Sequence, residues 1–426
     1  MKRVFLMIAC ALPLLLGAQT VQPQFNDWFE LKTLRMDFIH AGDRAGEELF
    51  FDELIEEPFW GGSVVNLIDT TLYGNYYVTL RDLATGTPIY SRGFCTLFRE
   101  WRDSEEATRV RKAATGSVIV PYPKKDALIE ISLRNRRGEF EKKLEHAVRV
   151  EDYFIKKERR RVYPTREILS SGSPARSVDI VLLPDGYTAE EMEKFLADSR
   201  EFTRGLFSFS PYREHQQAFN VRAVLAPSEE SGTDNPAAGV WKSTLLSASF
   251  YTLNSERYLM TYDHKTLRDL AANVPYDLIY VIVNTSKYGG GAIYNHYGIS
   301  VSGNLLSAKV YVHEFGHLFL GLGDEYAEDA TYNDMYPPDV EPWEANITTL
   351  VDFARKWQDL VEKDTPVPTP LDPARPERIG VYEGAGYVNK GIYRPRQDCL
   401  MRTLKGDDFC PVCTRAIVKQ IHFCTE

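Results

Sequence analysis

Apolar and polar residues alternate with a period of two through much of residues 20–150, the pattern of half-buried β-strands. Residues 34–39, 75–81, 88–92, 116–121 and 127–133 each read as a strand, and 139–148 opens a further extended segment. Residues 82–87 (D-L-A-T-G-T) read as a hairpin link and 134–138 (R-N-R-R-G) as a polar turn. The expectation is an all-β, sandwich-like N-terminal domain over 20–150, with Trp28, Trp60, Tyr73, Tyr76, Tyr77, Tyr90 and Trp101 in its core. The basic run 156–161 then falls in a solvated linker, 151–176.

From about residue 177 strands and helices alternate. Residues 178–183 are a short apolar run, and Thr188 with Glu191 forms a capping box that opens a helix over 189–207. A second strand over 219–225 and an acidic loop over 227–236 follow. Glu229, Glu230 and Asp234 read there as ordinary loop acids, with a calcium site as the rival. Residues 255–273 read as helical, and 277–284 (D-L-I-Y-V-I-V-N) as a central strand buried on both faces. After Gly289, Gly290 and Gly291, residues 292–302 read as one more strand, antiparallel at the sheet edge, and an apolar helix comes next. This order predicts an α/β catalytic domain with a mixed sheet over 177–426, loop-rich beyond residue 326 except for a helix near 350–363.

That apolar helix carries the chemistry. Residues 308–326 read A-K-V-Y-V-H-E-F-G-H-L-F-L-G-L-G-D-E-Y. His313 and His317 are four apart, so both imidazoles share one face and can hold one metal ion. Glu314 is turned to the side, where it reaches a zinc-bound water as general base without being a ligand. The competing reading is a buried helix with two satisfied histidines. Gly321 and Gly323 stop the helix, and Asp324 follows as the candidate third ligand, with Glu325 as its rival. Two helical ligands, a glycine stop and a third ligand just beyond is the metzincin plan. Here the glycine and the third ligand each come one residue late, and the ligand is a carboxylate where metzincins have histidine. Met401, after the long loop, is placed like the methionine of a Met-turn. Ala292, Ile293 and Tyr294 on the edge strand are the candidates for binding an extended peptide, and His296 beside them is either a substrate contact or a plain surface histidine. Tyr326 and Tyr393 read first as structural tyrosines, with donation to the oxyanion as the rival role.

Charge and cysteines add constraints. The 426 residues carry a net charge of −10, which argues against nucleic acid as a partner. Residues 1–18 read as a secretory signal cleaved near Ala18, so an exported protein, secreted, periplasmic or at the cell surface, is expected. Cys10 raises a lipoprotein signal, but the apolar stretch before it is short. No later stretch is apolar enough to be a transmembrane segment. Cys95, Cys399, Cys410, Cys413 and Cys424 remain after that cleavage. One or two disulfides near Met401 are expected, with a four-cysteine structural zinc as the rival. The pair Cys410 and Cys413 also has redox-motif spacing, without a thioredoxin-like context, and Cys95 is a remote candidate for an inhibitory zinc ligand.

The segment H-E-F-G-H-L-F-L-G-L-G-D-E-Y resembles that of the metzincin-like metallopeptidases named after IgA peptidase. The resemblance extends to Asp185-Gly186-Tyr187, Pro227-Ser228-Glu229, Ser255-Glu256-Arg257-Tyr258, the glycine loop and the C-terminal cysteines, and the β region resembles the N-terminal domain of such proteins. The resemblance implies an α/β zincin fold, zinc, secretion by a gut-type bacterium, and an endopeptidase acting on a protein or glycoprotein. By the same resemblance His313, His317 and Asp324 are ligands and Glu314 is catalytic. Which protein is cut does not transfer. Two other readings stand beside this one. The first is an exported protein that binds host glycan or protein, with a vestigial metal site. The second is a zinc hydrolase of non-peptide amides.

Overall fold

The computed structural model describes residues 22–327, 335–406 and 408–426. The expected signal over 1–18, with Cys10, lies outside them. After a single turn, α1 (Phe25–Trp28), the N-terminal domain is two antiparallel sheets face to face. The strands are β1 (Phe29–Gly42), β2 (Glu47–Glu57), β3 (Tyr76–Asp82), β4 (Pro88–Phe94), β5 (Lys112–Pro123), β6 (Ala127–Arg134) and β7 (Phe140–Val148), with the short helix α2 (Leu97–Arg102) between β4 and β5. One sheet runs β2-β1-β5 and the other β4-β3-β6-β7. Strict alternation in β3 and β6 puts Val78, Leu80, Ile129 and Ile131 into one core with Met36, Phe38, Val118 and Val120. On β1 the alternation fails, because its other face is buried too. Arg35 and Asp37 pair there, and Arg35 reaches Asp269 of the following domain at 2.6 Å.

The second domain is built on a six-stranded mixed sheet. Its strands are β8 (Thr165–Leu169), β9 (Val178–Asp185), β10 (Phe219–Val224), β11 (Leu278–Val283), β12 (Gly290–Ile293) and β13 (Tyr297–Val301). The order is β12-β13-β11-β9-β10-β8, parallel in the middle and antiparallel at each edge. Every residue of β9 and β11 is buried, as covered faces require. Ile180, Leu182, Tyr280 and Ile282 face helices α3 (Met192–Leu206), α5 (Ser307–Leu320) and α6 (Pro411–Thr425). Val181, Leu183, Ile279 and Val281 face helix α4 (His264–Ala271) and the segment 245–260. A hairpin, β14 (Tyr382–Ala385) with β15 (Val388–Arg394), follows the long loop. The capping box at Thr188 and Glu191 forms as its residues predict.

Several expectations are corrected. Residues 292–302 are two strands, not one: Asn295, at φ 50°, turns the chain between β12 and β13. The strand just before α5 is therefore interior and parallel, and the antiparallel edge is β12. Residues 255–273 yield only α4, because Asp263 caps it late and the chain before it is held extended by bridges from Ser249 to Met260 and Tyr258 to Gly290. The helix expected near 350–363 is two 3-10 turns. Leu350 sits at φ 71°, and burial of Trp357, whose indole donates to the Gly380 carbonyl at 2.8 Å, overrides helical continuity. Residues 156–160 of the basic run are exposed, and from the surface Lys156 and Arg160 both pair with Glu53. β8 lies inside the stretch 151–176 and pairs with β10.

Candidate metal centre

α5 is apolar on nearly every side except at His313, Glu314 and His317, so packing against β12, β13 and α3 orients those three. It ends at Gly321, whose φ of 64° is the left-handed conformation that glycine adopts without strain. The chain then turns back and brings Asp324 to the histidines. His313 Nε2 and His317 Nε2 lie 3.2 Å apart, and Asp324 Oδ1 is 3.2 Å from the first and 3.3 Å from the second. A tetrahedral zinc with N and O ligands at about 2.0–2.1 Å sets its ligands about 3.3 Å apart, so this triangle has the right edge.

The hydrogen bonds around the triangle fix what its atoms offer. His313 Nδ1 donates to the Leu400 carbonyl at 2.9 Å, and His317 Nδ1 donates to the Leu322 carbonyl at 2.5 Å. A carbonyl only accepts, so each Nδ1 carries the proton and each Nε2 is left with a lone pair. Tyr387 donates its hydroxyl to Asp324 Oδ2, and Gly386 N–H donates to the Asp324 carbonyl at 2.8 Å. Oδ1 has no hydrogen-bond donor and faces the two lone pairs. Three converging lone pairs repel unless a cation takes them. A proton answers only in part: burial pulls His317 down, yet the Asp324 charge outweighs it and pushes the imidazole up to about 9. Burial likewise raises the Asp324 carboxyl, but the two histidines bring it well below the usual range. A metal ion would satisfy all three atoms at once.

Burial pushes the Glu314 carboxyl above its ordinary value, with His313 and His317 opposing. That moves a carboxylate toward the range where it both takes and returns protons. Met401 is fully buried and packs on the helix where Gly316 leaves room: a Cβ there would come within 2.9 Å of the Met401 sulfur. The same turn supplies the Leu400 carbonyl to His313 and the Met401 carbonyl to Glu325 N–H, at 2.8 Å.

The other candidates fare differently. Glu325 is not with the histidines; it is buried, accepting from Asn346 at 2.9 Å and from the Cys413 thiol at 3.2 Å. Ala292 and Ile293 lie on the edge strand. The outward N–H and carbonyl of Gly290 are taken by Arg257 and Leu259, and Ala292 continues the same outward edge. Tyr294 does not lie on that edge. It is in the turn, packed against Tyr73 and Trp343, and its carbonyl accepts from Cys95 N–H. His296 is also buried, bonded to Arg268 and His264, and does not face a substrate. Tyr326 packs against Tyr387 and Arg257, beside the triangle. Tyr393 pairs across the β14–β15 hairpin with Glu383, and its N–H donates to the Thr348 carbonyl at 2.9 Å. Cys95 is buried at the junction of the two domains, away from the triangle. All five described cysteines are free thiols, so the expected disulfides are absent among them. Cys424 lies beside Gln420, apart from the other three, so the four-cysteine set does not assemble either. Glu229, Glu230 and Asp234 are satisfied by Lys242 and Ser243, a few residues beyond their loop.

Sequence reasoning missed Tyr387 and Asn346. Tyr387 sat in a glycine-rich run, G-A-G-Y, whose left-handed residues Gly384, Gly386 and Tyr387 mark a built turn. Asn346 carried no local signal. The profile of the family described as IgA Peptidase M64 matches residues 166–378 and 371–421, and that described as Peptidase M64 N-terminus matches residues 24–145. No curated protein matches the chain.

Proposed function

The chain belongs to the IgA peptidase M64 family, and from that premise we propose that it is a zinc-dependent endopeptidase in which His313, His317 and Asp324 hold the metal and Glu314 is the general base. The observation that carries the reading is the triangle of two bare Nε2 atoms and one donor-free carboxylate oxygen, 3.2–3.3 Å on each side. Bound there, zinc supplies Lewis-acid polarisation of the scissile carbonyl and a lowered pKa for water. Glu314 takes the proton from the attacking water and returns it to the leaving amine nitrogen. The raised affinity of its carboxyl for protons suits both steps. Tyr387 holds Asp324 so that Oδ1 stays turned to the histidines. Ala292 on β12 pairs main chain to main chain with an extended substrate, and Ile293 sets the strand in the core. Met401 is the apolar floor. The mixed sheet, the α5 site and the turn at Met401 support a metzincin-like zincin fold for residues 177–426. The sandwich over 20–150 then precedes it, and residues 1–18 direct export.

The test is zinc content together with digestion of an unstructured protein such as casein, for the wild type and Glu314→Gln. The expected result is zinc in both and cleavage reduced about 10²–10⁴-fold in the variant. Full activity in the variant would refute the general-base role. A wild type lacking zinc in this triangle would refute the centre and make a binding function the leading reading.

A further inference from the structure

Below the triangle lies a second convergence of metal-ligating atoms, and it is not used by the mechanism above. We propose that Glu325, Cys399, Cys410 and Cys413 form a closed, structural zinc site. All four donor atoms lie within 4.8 Å of one another, and all four residues are buried. The Cys399 and Cys413 sulfurs are 3.8 Å apart. That is the edge of a tetrahedral zinc with Zn–S bonds of about 2.3 Å, and far from the roughly 2.05 Å of a disulfide.

The surroundings are prepared for thiolates. Cys410 N–H donates to the Cys399 sulfur at 3.2 Å, and Cys413 N–H donates to the Cys410 sulfur at 3.5 Å. Cys410 is the N-cap of α6, and Pro411 follows as its first residue, so the positive end of the helix faces the sulfurs. Glu325 is an independent sign of an occupant. It is fully buried, Asn346 and the Cys413 thiol reach only its Oε1, and Oε2 has no partner. A stranded carboxylate oxygen beside three thiols is costly unless it meets a cation. Three soft thiolates, one carboxylate and no opening to solvent suit zinc in a structural role. Binding releases the three thiol protons to solvent, and no oxidation is involved. The net charge of the liganded group is that of a four-thiolate centre, and the buried guanidinium of Arg394 offsets part of it.

The site braces the triangle. Glu325 follows Asp324 directly, Cys399 precedes Met401 by two residues, and Glu325 N–H already donates to the Met401 carbonyl. One ion therefore ties the segment that delivers Asp324 to the turn that floors the histidines.

The experiment measures metal in the purified full chain and in His313→Ala/His317→Ala. The double variant is expected to retain about one zinc per chain, and its cobalt-substituted form to show a thiolate-to-cobalt charge-transfer band in the near ultraviolet. Adding Cys410→Ser/Cys413→Ser should abolish both. If that variant does not fold, Glu325→Gln on the double-variant background should lose its zinc to a chelator faster. A double variant without metal, a cobalt form without the sulfur band, or a disulfide among Cys399, Cys410 and Cys413 by mass mapping would overturn the proposal. A wild type that holds a single zinc with sulfur ligation would support this site and count against the histidine triangle, so the two failures are distinguishable.

Discussion

Tyr387 governs which oxygen of Asp324 meets the histidines. Its hydroxyl occupies Oδ2 and leaves Oδ1 bare. Tyr387→Phe removes that constraint without touching a donor atom or Glu314. Zinc affinity is expected to fall about 10–100-fold, as for other supporting partners of metal ligands. Competition with a chelator reads the change, and at saturating zinc the variant should recover most of its activity. An unchanged affinity would mean that packing alone holds Asp324. Glu325, one residue on, illustrates the opposite outcome: the same carboxylate chemistry is taken up by Asn346 and a thiol.

At the scale of elements, the end of α5 decides whether Asp324, the proposed third ligand, reaches the histidines. Gly321 is left-handed, and a Cβ on it would stand 2.3 Å from the Trp343 ring. A rigid indole cannot move aside as a flexible chain does. Gly321→Ala should therefore destabilise the domain by about 1–3 kcal/mol, from backbone strain and overpacking together. It should lower zinc occupancy with it. Thermal melts with and without added zinc separate the two effects, and an unaltered melting temperature would show that the turn can be rebuilt.

At the scale of the whole molecule, the two domains share a buried polar junction. Arg35 reaches Asp269, Arg268 reaches Ser117 at 3.1 Å, and Tyr276 reaches Glu57 at 3.0 Å. His264 lies in this junction, bonded to His296, with Arg268 and His40 near it. Burial pulls its imidazole down to about 3, with His40 and Arg268 adding to the shift. Between about 6.5 and about 3 the unfolded chain therefore holds a proton that the folded chain refuses, so stability falls as pH falls through that window. The slope is about 1.4 kcal/mol per pH unit for one such histidine. His264→Gln should lose about that much of the slope in denaturant titrations between pH 6.5 and 4.5. An unchanged slope would place the acid sensitivity elsewhere, with His296, also held down by burial, as the next candidate. Among the described residues no helix is long and apolar enough to cross a membrane.

Much of this was legible locally. Spacing on one helix put His313, Glu314 and His317 together. The capping box opened its helix, and unbroken apolar runs became the doubly covered strands β9 and β11. These depend on contacts within a few residues, which a linear pattern records. What the tertiary structure decided depends on partners far along the chain. Local sequence places Tyr294 and His296 beside a substrate, because what covers them is distant in the chain: Tyr73, Cys95 and Arg268. Residues 350–363 have helical spacing, but Trp357 is drawn to Gly380 and the helix gives way to turns. Successive residues of an extended segment point to opposite sides, so only one of Asp324 and Glu325 could face the histidines. Which one did so was settled by Tyr387 on one side and by Asn346 and the thiols on the other.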